Sequence, residues 1–381
     1  MKSPACCPCP VSCVKHQAGV ALITVLLIVF LASLAATSLA ALQQLAIRRS
    51  TVLQHQQQAR LYTLGAEQEA MIILARDRQQ NETDHPGEEW ANLPPALPIE
   101  GGAITVRLSD LQGCFNLNNL WRPAPGEQSP TPNEPEKSKD KDKDKDKDKD
   151  QNEPQDSTDS EADTASKPNP AKPKLPKPAT PSDKAGLELA QIKVLQRLLE
   201  SVELKPALAQ AIADWIDPDP DPQFPDGAED SDYAVLNPPY LAANRPFFST
   251  SELRLIKDMD REAYDKLTPV VCVLPPGTPL NVNTAQAPVL AALSEEELKP
   301  ADLERLPKER PAEGYKTVDE FLNAAKLTVE APVKALLSTD SQYFLLRVEA
   351  RVGDGRAMLY SMLYRDENGV RVLRRGFGHQ D

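Results

Sequence analysis

The sequence predicts an α+β protein: a long N-terminal helix, an antiparallel sheet, and a large α-helical domain inserted between the strands of that sheet. Three observations carry this. No charged side chain occurs from residue 18 to residue 47, and helix-forming residues continue without proline to residue 79. Apolar and polar residues alternate at 102–111 and again in three runs after residue 343. Between 184 and 338 the apolar residues recur mostly at helical spacing.

The opening helix comes first. At 1.5 Å per residue, the uncharged stretch is longer than a ~30 Å hydrocarbon core is thick. It begins at a glycine, Gly19, directly after a short polar stretch holding Lys15 and His16. An ordinary secretory signal has a shorter apolar core that closes on a small-residue cleavage site. Here the expected cut lies ahead of the apolar run, so the helix would stay on the mature chain. The arrangement resembles a type IV prepilin-like signal, read by a prepilin peptidase between Gly19 and Val20. A plain single-pass anchor is the alternative. Residues 50–79 extend the helix, with Leu53, Leu61, Leu64, Ile72 and Leu74 expected to form its buried stripe and Gly65 as a candidate break.

A Pro/Gly-rich break at 84–98 leads to the strand at 102–111 and then to FNLNNL at 115–120. Residues 122–181 are dominated by Pro, Ser, Lys, Asp and Glu, with Lys and Asp alternating from 139 to 150. Such a polyampholyte buries too little to offset the entropy of ordering, so it is expected to be a solvated insert. Helices are expected at 185–204, 206–216, 250–255, 261–267 and 316–327, and at a segment ending at Leu293 that Asn283 or Thr284 can cap. Strands are expected at 343–352, 357–364 and 370–374, joined by turns at 353–355 and 366–369. The domain reading is 1–19 leader, 20–80 helix, 81–121 strand region, 122–183 insert, 184–338 inserted helical domain and 339–381 closing strands.

Composition narrows the function. The net charge of −13 argues against binding nucleic acid by phosphate neutralisation. Of the six cysteines, Cys6, Cys7, Cys9 and Cys13 lie in the leader without a second pair at zinc-finger spacing. Cys114 and Cys272 remain, and an oxidising compartment would permit a disulfide. Spacing alone leaves open whether they come within reach.

The candidate site is DWIDPDPDPQFPDGAEDSDY, 214–233. No Lys or Arg occurs from 206 to 244, yet eight carboxylates fall within the site segment: Asp214, Asp217, Asp219, Asp221, Asp226, Glu229, Asp230 and Asp232. Such a loop is either simply solvated or neutralised by hard cations. Ca²⁺, which takes six to eight oxygens in flexible loops, suits this donor set, and no His or Cys nearby favours a softer metal. Pro222 stands where an EF-hand needs its glycine, so the loop is of another kind.

GVALITVLL (19–27), FNLNNL, WIDPDPDP (215–222), GAEDSDY (227–233), NPPYLAANRPFFSTSELRLI (237–256) and LNVNTA (280–285) together resemble minor pseudopilin K of type II secretion systems. The resemblance covers nearly the whole chain except the leader cysteines and the Lys/Asp insert. It implies a pilin-like fold with an inserted helical domain like sterile-alpha-motif and helix-hairpin-helix modules. Cleavage and methylation at the new N-terminus are also implied. So is a single-pass inner-membrane anchor, with the soluble part in the periplasm and the subunit at the pseudopilus tip beside minor pseudopilins I and J. The implied role is to nucleate and cap a filament that exports folded proteins with the rest of the secretion machinery. Calcium in the helical domain is implied too, with ligands among Asp217, Asp219, Asp221, Glu229, Asp230 and Asp232. Most pilins and pseudopilins have Glu as the fifth mature residue, pairing with a neighbour's amine. Here Thr24 takes that place, as suits a subunit with no neighbour above it.

The rival reading is a membrane-anchored helix-hairpin-helix DNA receptor, echoed by 279–293 and 305–322. SEEEL at 294–298 lacks a hairpin glycine and would repel phosphate. No sequence motif of a hydrolase, zinc protease or nucleotide-binding enzyme occurs, so no enzyme activity is expected.

Overall fold

The structure is a computed structural model that describes residues 18–122, 186–296, 305, 306 and 308–378. Most of the leader and the Lys/Asp run lie outside the described residues. Helix α1, Ala18–Gln80, is unbroken over 63 residues, roughly 95 Å, and passes through Gly65. Large apolar side chains from Leu22 to Ile47 are all exposed. The hydroxyls in this stretch need no outside partner. Thr24 Oγ1 donates to the Ala21 carbonyl at 2.9 Å, Ser33 Oγ to Val29 at 2.7 Å, and Thr37 and Ser38 likewise bond the preceding turn. A helix that satisfies its own polar groups suits a lipid environment.

The short strands are β1 Leu97–Ile99, β3 Phe115–Asn116, β4 Trp121–Arg122, β5 Gly186–Leu187, β6 Val271–Cys272, β7 Leu280–Asn281 and β8 Leu337–Ser338. The long ones are β2 Gly102–Asp110, β9 Tyr343–Val352, β10 Gly355–Asp366 and β11 Gly369–Phe377. One five-stranded sheet has the order β1-β2-β9-β10-β11. Two-residue turns join β9 to β10 and β10 to β11, a connection that antiparallel neighbours permit and parallel ones do not. Gly353, the first residue of the β9–β10 turn, supplies the positive φ that turn requires.

Two compact units divide the chain. The first comprises α1 up to Ala66 together with Pro94–Val106 and Val348–Leu359. Here Ala59 and Thr63 are fully buried, and the β9–β10 turn meets the helix at backbone distance. A Cβ on Gly355 would strike the main chain of His55 and Gln56. Small residues thus occupy the buried flank of α1. The expected leucine stripe is corrected: Leu53 is 59% exposed, Leu61 68% and Ile72 52%, while Leu74 is buried. A strand that approaches this closely suits small side chains such as Ala59 and Thr63 on that flank, while Leu53 and Leu61 stay outside, Leu64 is half-buried and Leu74 is buried.

The second unit holds Glu67–Leu93, Arg107–Arg347 and Tyr360–Asp381. On α1, fully buried Glu67 accepts from Ser361 Oγ of β10 and pairs with Arg375 of β11. The helical body contains α2 Leu189–Ser201, α3 Leu208–Asp214, α4 Asp230–Tyr233, α5 Arg261–Leu267, α6 Ala287–Ala292, α7 Val318–Ala325 and α8 Ala331–Lys334. Its core runs from Leu117 and Leu120 through Leu195, Leu198 and Leu199 of α2 and Ile212 of α3 to Leu290 and Phe321. Residues 250–255, expected as a helix, form a 3₁₀ segment begun by the Ser249 cap and Glu252. Thr317 caps α7 through the Glu320 amide at 3.2 Å.

The capping role expected of Asn283 or Thr284 is also corrected, because α6 starts at Ala287. Asn283 instead accepts from the Tyr315 amide at 2.7 Å and donates to its carbonyl at 3.0 Å. Thr284 Oγ1 donates to Asp110. The asparagines of FNLNNL work in the same way. Buried Asn118 accepts from the Phe247 amide at 2.7 Å and donates to Leu274 at 2.9 Å, and Asn119 accepts from Gly277 at 2.8 Å. A carboxamide can satisfy both a donor and an acceptor of an irregular backbone that no ladder completes.

The ends of the insert are held together. Trp121 pairs with Leu187 and Arg122 with Gly186 in an antiparallel ladder, reinforced by the Arg122–Glu188 ion pair. The insert therefore leaves and re-enters the fold at one place and sets no spacing between the segments it interrupts. Cys114 and Cys272 form a disulfide with Cα atoms 5.7 Å apart, next to the β3–β6 pairing of Phe115 with Val271.

Candidate metal centre

The acidic segment is built on the end of α3. Asp214 is the last residue of that helix, and Asp217 follows one turn later, its amide bonded to the Ala213 carbonyl at 3.2 Å. The chain then makes its Pro/Asp excursion and returns through Gly227, whose amide donates to Gln223 at 2.7 Å. A Cβ at Gly227 would collide with the Asp214 carboxylate and the Gln223 backbone. Glycine is required there by close approach, and the return brings Glu229 back over the helix end.

Asp214, Asp217 and Glu229 converge, each offering a carboxylate oxygen within 4.8 Å of the others. They are 0%, 0% and 2% exposed. Asp214 is held by the amides of Gln223, at 3.1 Å, and Ala228, at 2.8 Å. All four oxygens of Asp217 and Glu229 are buried without a hydrogen-bond partner. Burial, with neighbouring negative charges adding, pushes the Asp217 carboxyl up to about 8 and Glu229 to about 7. Burial pushes Asp214 up to about 6 against the pull of its two amide donors. Three converging acids with four orphaned oxygens fit a hard divalent cation, which would supply the missing partner and favour the ionised forms.

The other acids have different places. Asp219 and Asp221 are exposed, with the Asp221 amide bonded to Asp219 Oδ1 at 3.1 Å. Asp230 Oδ1 accepts from the Ala242 amide at 2.8 Å. Asp232 takes Lys257 Nζ at 2.8 Å, and that bond holds its carboxyl below the usual range. The structure thus brings Asp217 and Glu229 of the expected set together and adds Asp214, which sequence reasoning left out of the set. The missed signal was its place at a helix end one turn before Asp217. Gly19 and Val20 lie in the first turns of α1, and Thr24 is bonded within the helix.

Beside the pocket, Trp215 packs edge-on against Tyr233 at 5.3 Å between centroids, and Tyr233 stacks on Tyr240 at 5.4 Å. A second acid cluster, Asp77, Asp84 and Glu88, shows the contrast. There Arg365 donates to Asp77 at 2.7 Å and to Asp84 at 2.5 Å, while Glu88 accepts from Trp90 Nε1 at 2.5 Å. A guanidinium already occupies the place a cation would take.

The fold and site define a class: a structural subunit with an N-terminal helix long and apolar enough to cross a membrane, a sheet against that helix and a helical body carrying an acidic pocket. Residues 175–276 match the model for the first domain of type II secretion system protein K, and residues 280–340 match a second model for that protein. The chain is 33% identical over 376 residues to type II secretion system protein K of Pseudomonas aeruginosa, across 96% of this chain and 94% of that protein. Identity to the Aeromonas hydrophila protein K is 31% over 372 residues, across 95% and 97%. A chain in the crystal structure of the GspK-GspI-GspJ complex from enterotoxigenic Escherichia coli superposes with a TM-score of 0.61 at 26% identity, covering 87% of this chain and 100% of that one. The chain belongs to the type II secretion system protein K family. Its role is structural, not enzymatic.

Proposed function

We propose that this protein is the tip subunit of a type II secretion pseudopilus, where it nucleates and caps the filament. Prepilin peptidase would cut between Gly19 and Val20, the new N-terminus would be methylated, and α1 would anchor the chain in the inner membrane with the soluble units in the periplasm. The observation that carries the reading is α1 itself, one unbroken helix that is bare and apolar at one end and built into the soluble fold at the other. The Cys114–Cys272 disulfide supports an oxidising compartment. Thr24 supports the tip position: its hydroxyl is satisfied by the Ala21 carbonyl and asks nothing of a subunit above.

Minor pseudopilins I and J are the proposed partners, in line with the complex in which the structural relative was solved. Calcium would sit among Asp214, Asp217 and Glu229, fixing the loop to the end of α3 and neutralising the acids. N-terminal sequencing of the mature protein, with co-purification of co-expressed proteins I and J, tests the assignment. Val20 as first residue and a three-protein complex are expected, whereas an intact Met1 terminus or no complex would overturn it.

A further inference from the structure

In β9, Phe344, Leu346 and Val348 are fully buried, so Arg347 stands on the opposite, solvent-facing side of the strand. Arg107 of β2 is exposed beside buried Leu108 in the same way. Hydrogen bonds at the two ends of the β2–β9 ladder fix its register: the Leu111 amide donates to the Tyr343 carbonyl at 2.9 Å and the Gly353 amide to the Gly101 carbonyl at 3.0 Å. That register sets Arg107 directly opposite Arg347 on one face. The Arg365 amide, bonded to the Gln342 carbonyl at 2.8 Å, likewise sets Tyr360 of β10 opposite Arg347, whose Cζ lies 5.7 Å from the Tyr360 ring centroid. Like charges directly opposite one another destabilise a sheet. Among the described residues no carboxylate pairs with either arginine, because Glu349, the next residue of β9 on that face, is held by Arg351 at 2.7 Å and Arg356 at 3.0 Å. Two arginines of β11 also lack a carboxylate partner among the described residues. Arg371 stacks over Tyr364, 4.7 Å from the ring centroid, and Arg374 Nη1 donates to the Phe248 carbonyl at 3.5 Å beside half-buried Leu345 and Met362.

We propose that Arg107, Arg347, Arg371 and Arg374 form a docking face for a carboxylate cluster on the surface of a partner protein. Charge complementarity selects the occupant. In a chain of net charge −13 this face is positive, and a carboxylate set between Arg107 and Arg347 would turn a repulsive pair into two charge-assisted contacts. The guanidinium fork matches a carboxylate in a way a lysine does not, and no lysine occurs in β2, β9, β10 or β11. Arginine with tyrosine and methionine, and without lysine, is the composition of a protein interface. A free phosphate would find neither an enclosing pocket nor a nest of backbone amides on an open sheet face. The net negative charge of the chain opposes nucleic acid.

Full-length protein in detergent, titrated into fluorescein-labelled hexaglutamate at low salt and followed by fluorescence anisotropy, tests this, with sodium tripolyphosphate as competitor. Wild type should bind, and about 0.5 M salt should weaken the binding. Arg347→Gln and the double variant Arg107→Gln/Arg347→Gln should weaken it on the order of tenfold. Arg356→Gln should bind as wild type does, since Arg356 is already paired with Glu349. Melting temperature is the second readout: Arg107→Thr should melt at or above wild type, because it removes the like-charge contact with Arg347. Absence of binding by wild type, or equal binding by wild type and the Arg107 and Arg347 variants, would overturn the docking face. An Arg107→Thr protein that melts well below wild type yet binds the probe equally would make the pair a part of the sheet's own stability and remove the proposal. Tighter binding of tripolyphosphate than of hexaglutamate would overturn the occupant in favour of a phosphate ligand.

Discussion

Asp217 and Glu229 face one another in a buried pocket, each within 4.8 Å of the other and of Asp214, with no hydrogen-bond donor reaching either carboxylate. Two such groups cannot both ionise in isolation at low cost. The pairing makes the pocket a switchable source of stability, governed by whatever neutralises it.

Asp217→Asn tests that relation through a crossing of effects. In chelator at pH 8 the variant should melt at or above wild type, because a buried charge is gone. In calcium at about a hundredfold above its Kd, wild type should gain about 2.7 kcal/mol and the variant nothing. Thermal unfolding in both buffers checks both arms, and an equal calcium response in the two proteins would remove Asp217 from the site.

The same groups set a pH dependence for the ion-free protein. Their folded pKa values, about 6 for Asp214, about 7 for Glu229 and about 8 for Asp217, lie above the ordinary carboxylate range. The folded state therefore holds more protons than the unfolded state, and stability falls as pH rises from about 4 through 8. Melting curves in chelator should show that decline. Saturating calcium should flatten it, since the ion replaces the protons.

Arg365 is 2% exposed and spans Asp77 and Asp84 while its Cζ lies 4.8 Å from the Phe344 ring centroid. Arg365→Met keeps most of the volume but leaves both carboxylates without a counter-charge. A loss of about 3–5 kcal/mol in urea unfolding is expected.

The ladder between Trp121–Arg122 and Gly186–Leu187 predicts that the insert can be removed. Replacing residues 123–185 by a four-residue turn shortens the connection by about four halvings, each worth about 0.6 kcal/mol of closure entropy, for a gain of about 2 kcal/mol. Urea unfolding of the shortened chain checks this, and a marked loss of stability would mean that the insert contributes contacts.

Long elements were readable because their signal is local. The expected strand at 343–352 is β9 itself, and the helix expected at 20–80 is α1, which begins two residues earlier and ends at the same residue. Period and the absence of proline or charge sufficed. Residues that act over long sequence separations were not readable in this way. Asn283 carries no mark that it will hold Tyr315 and not cap a helix, and nothing near Asp232 announces Lys257. The leucine stripe failed for a related reason, since periodicity locates an apolar face but does not say what the sheet will press against.

By itself the sequence determined the membrane-length helix, the strand meander and the concentration of acids in one loop, all properties of composition and short-range spacing. Only the tertiary structure decided which three acids converge, that Cys114 reaches Cys272, and that Leu61 faces outward. Each of these depends on where separate segments come to rest, which is fixed by packing over the whole chain.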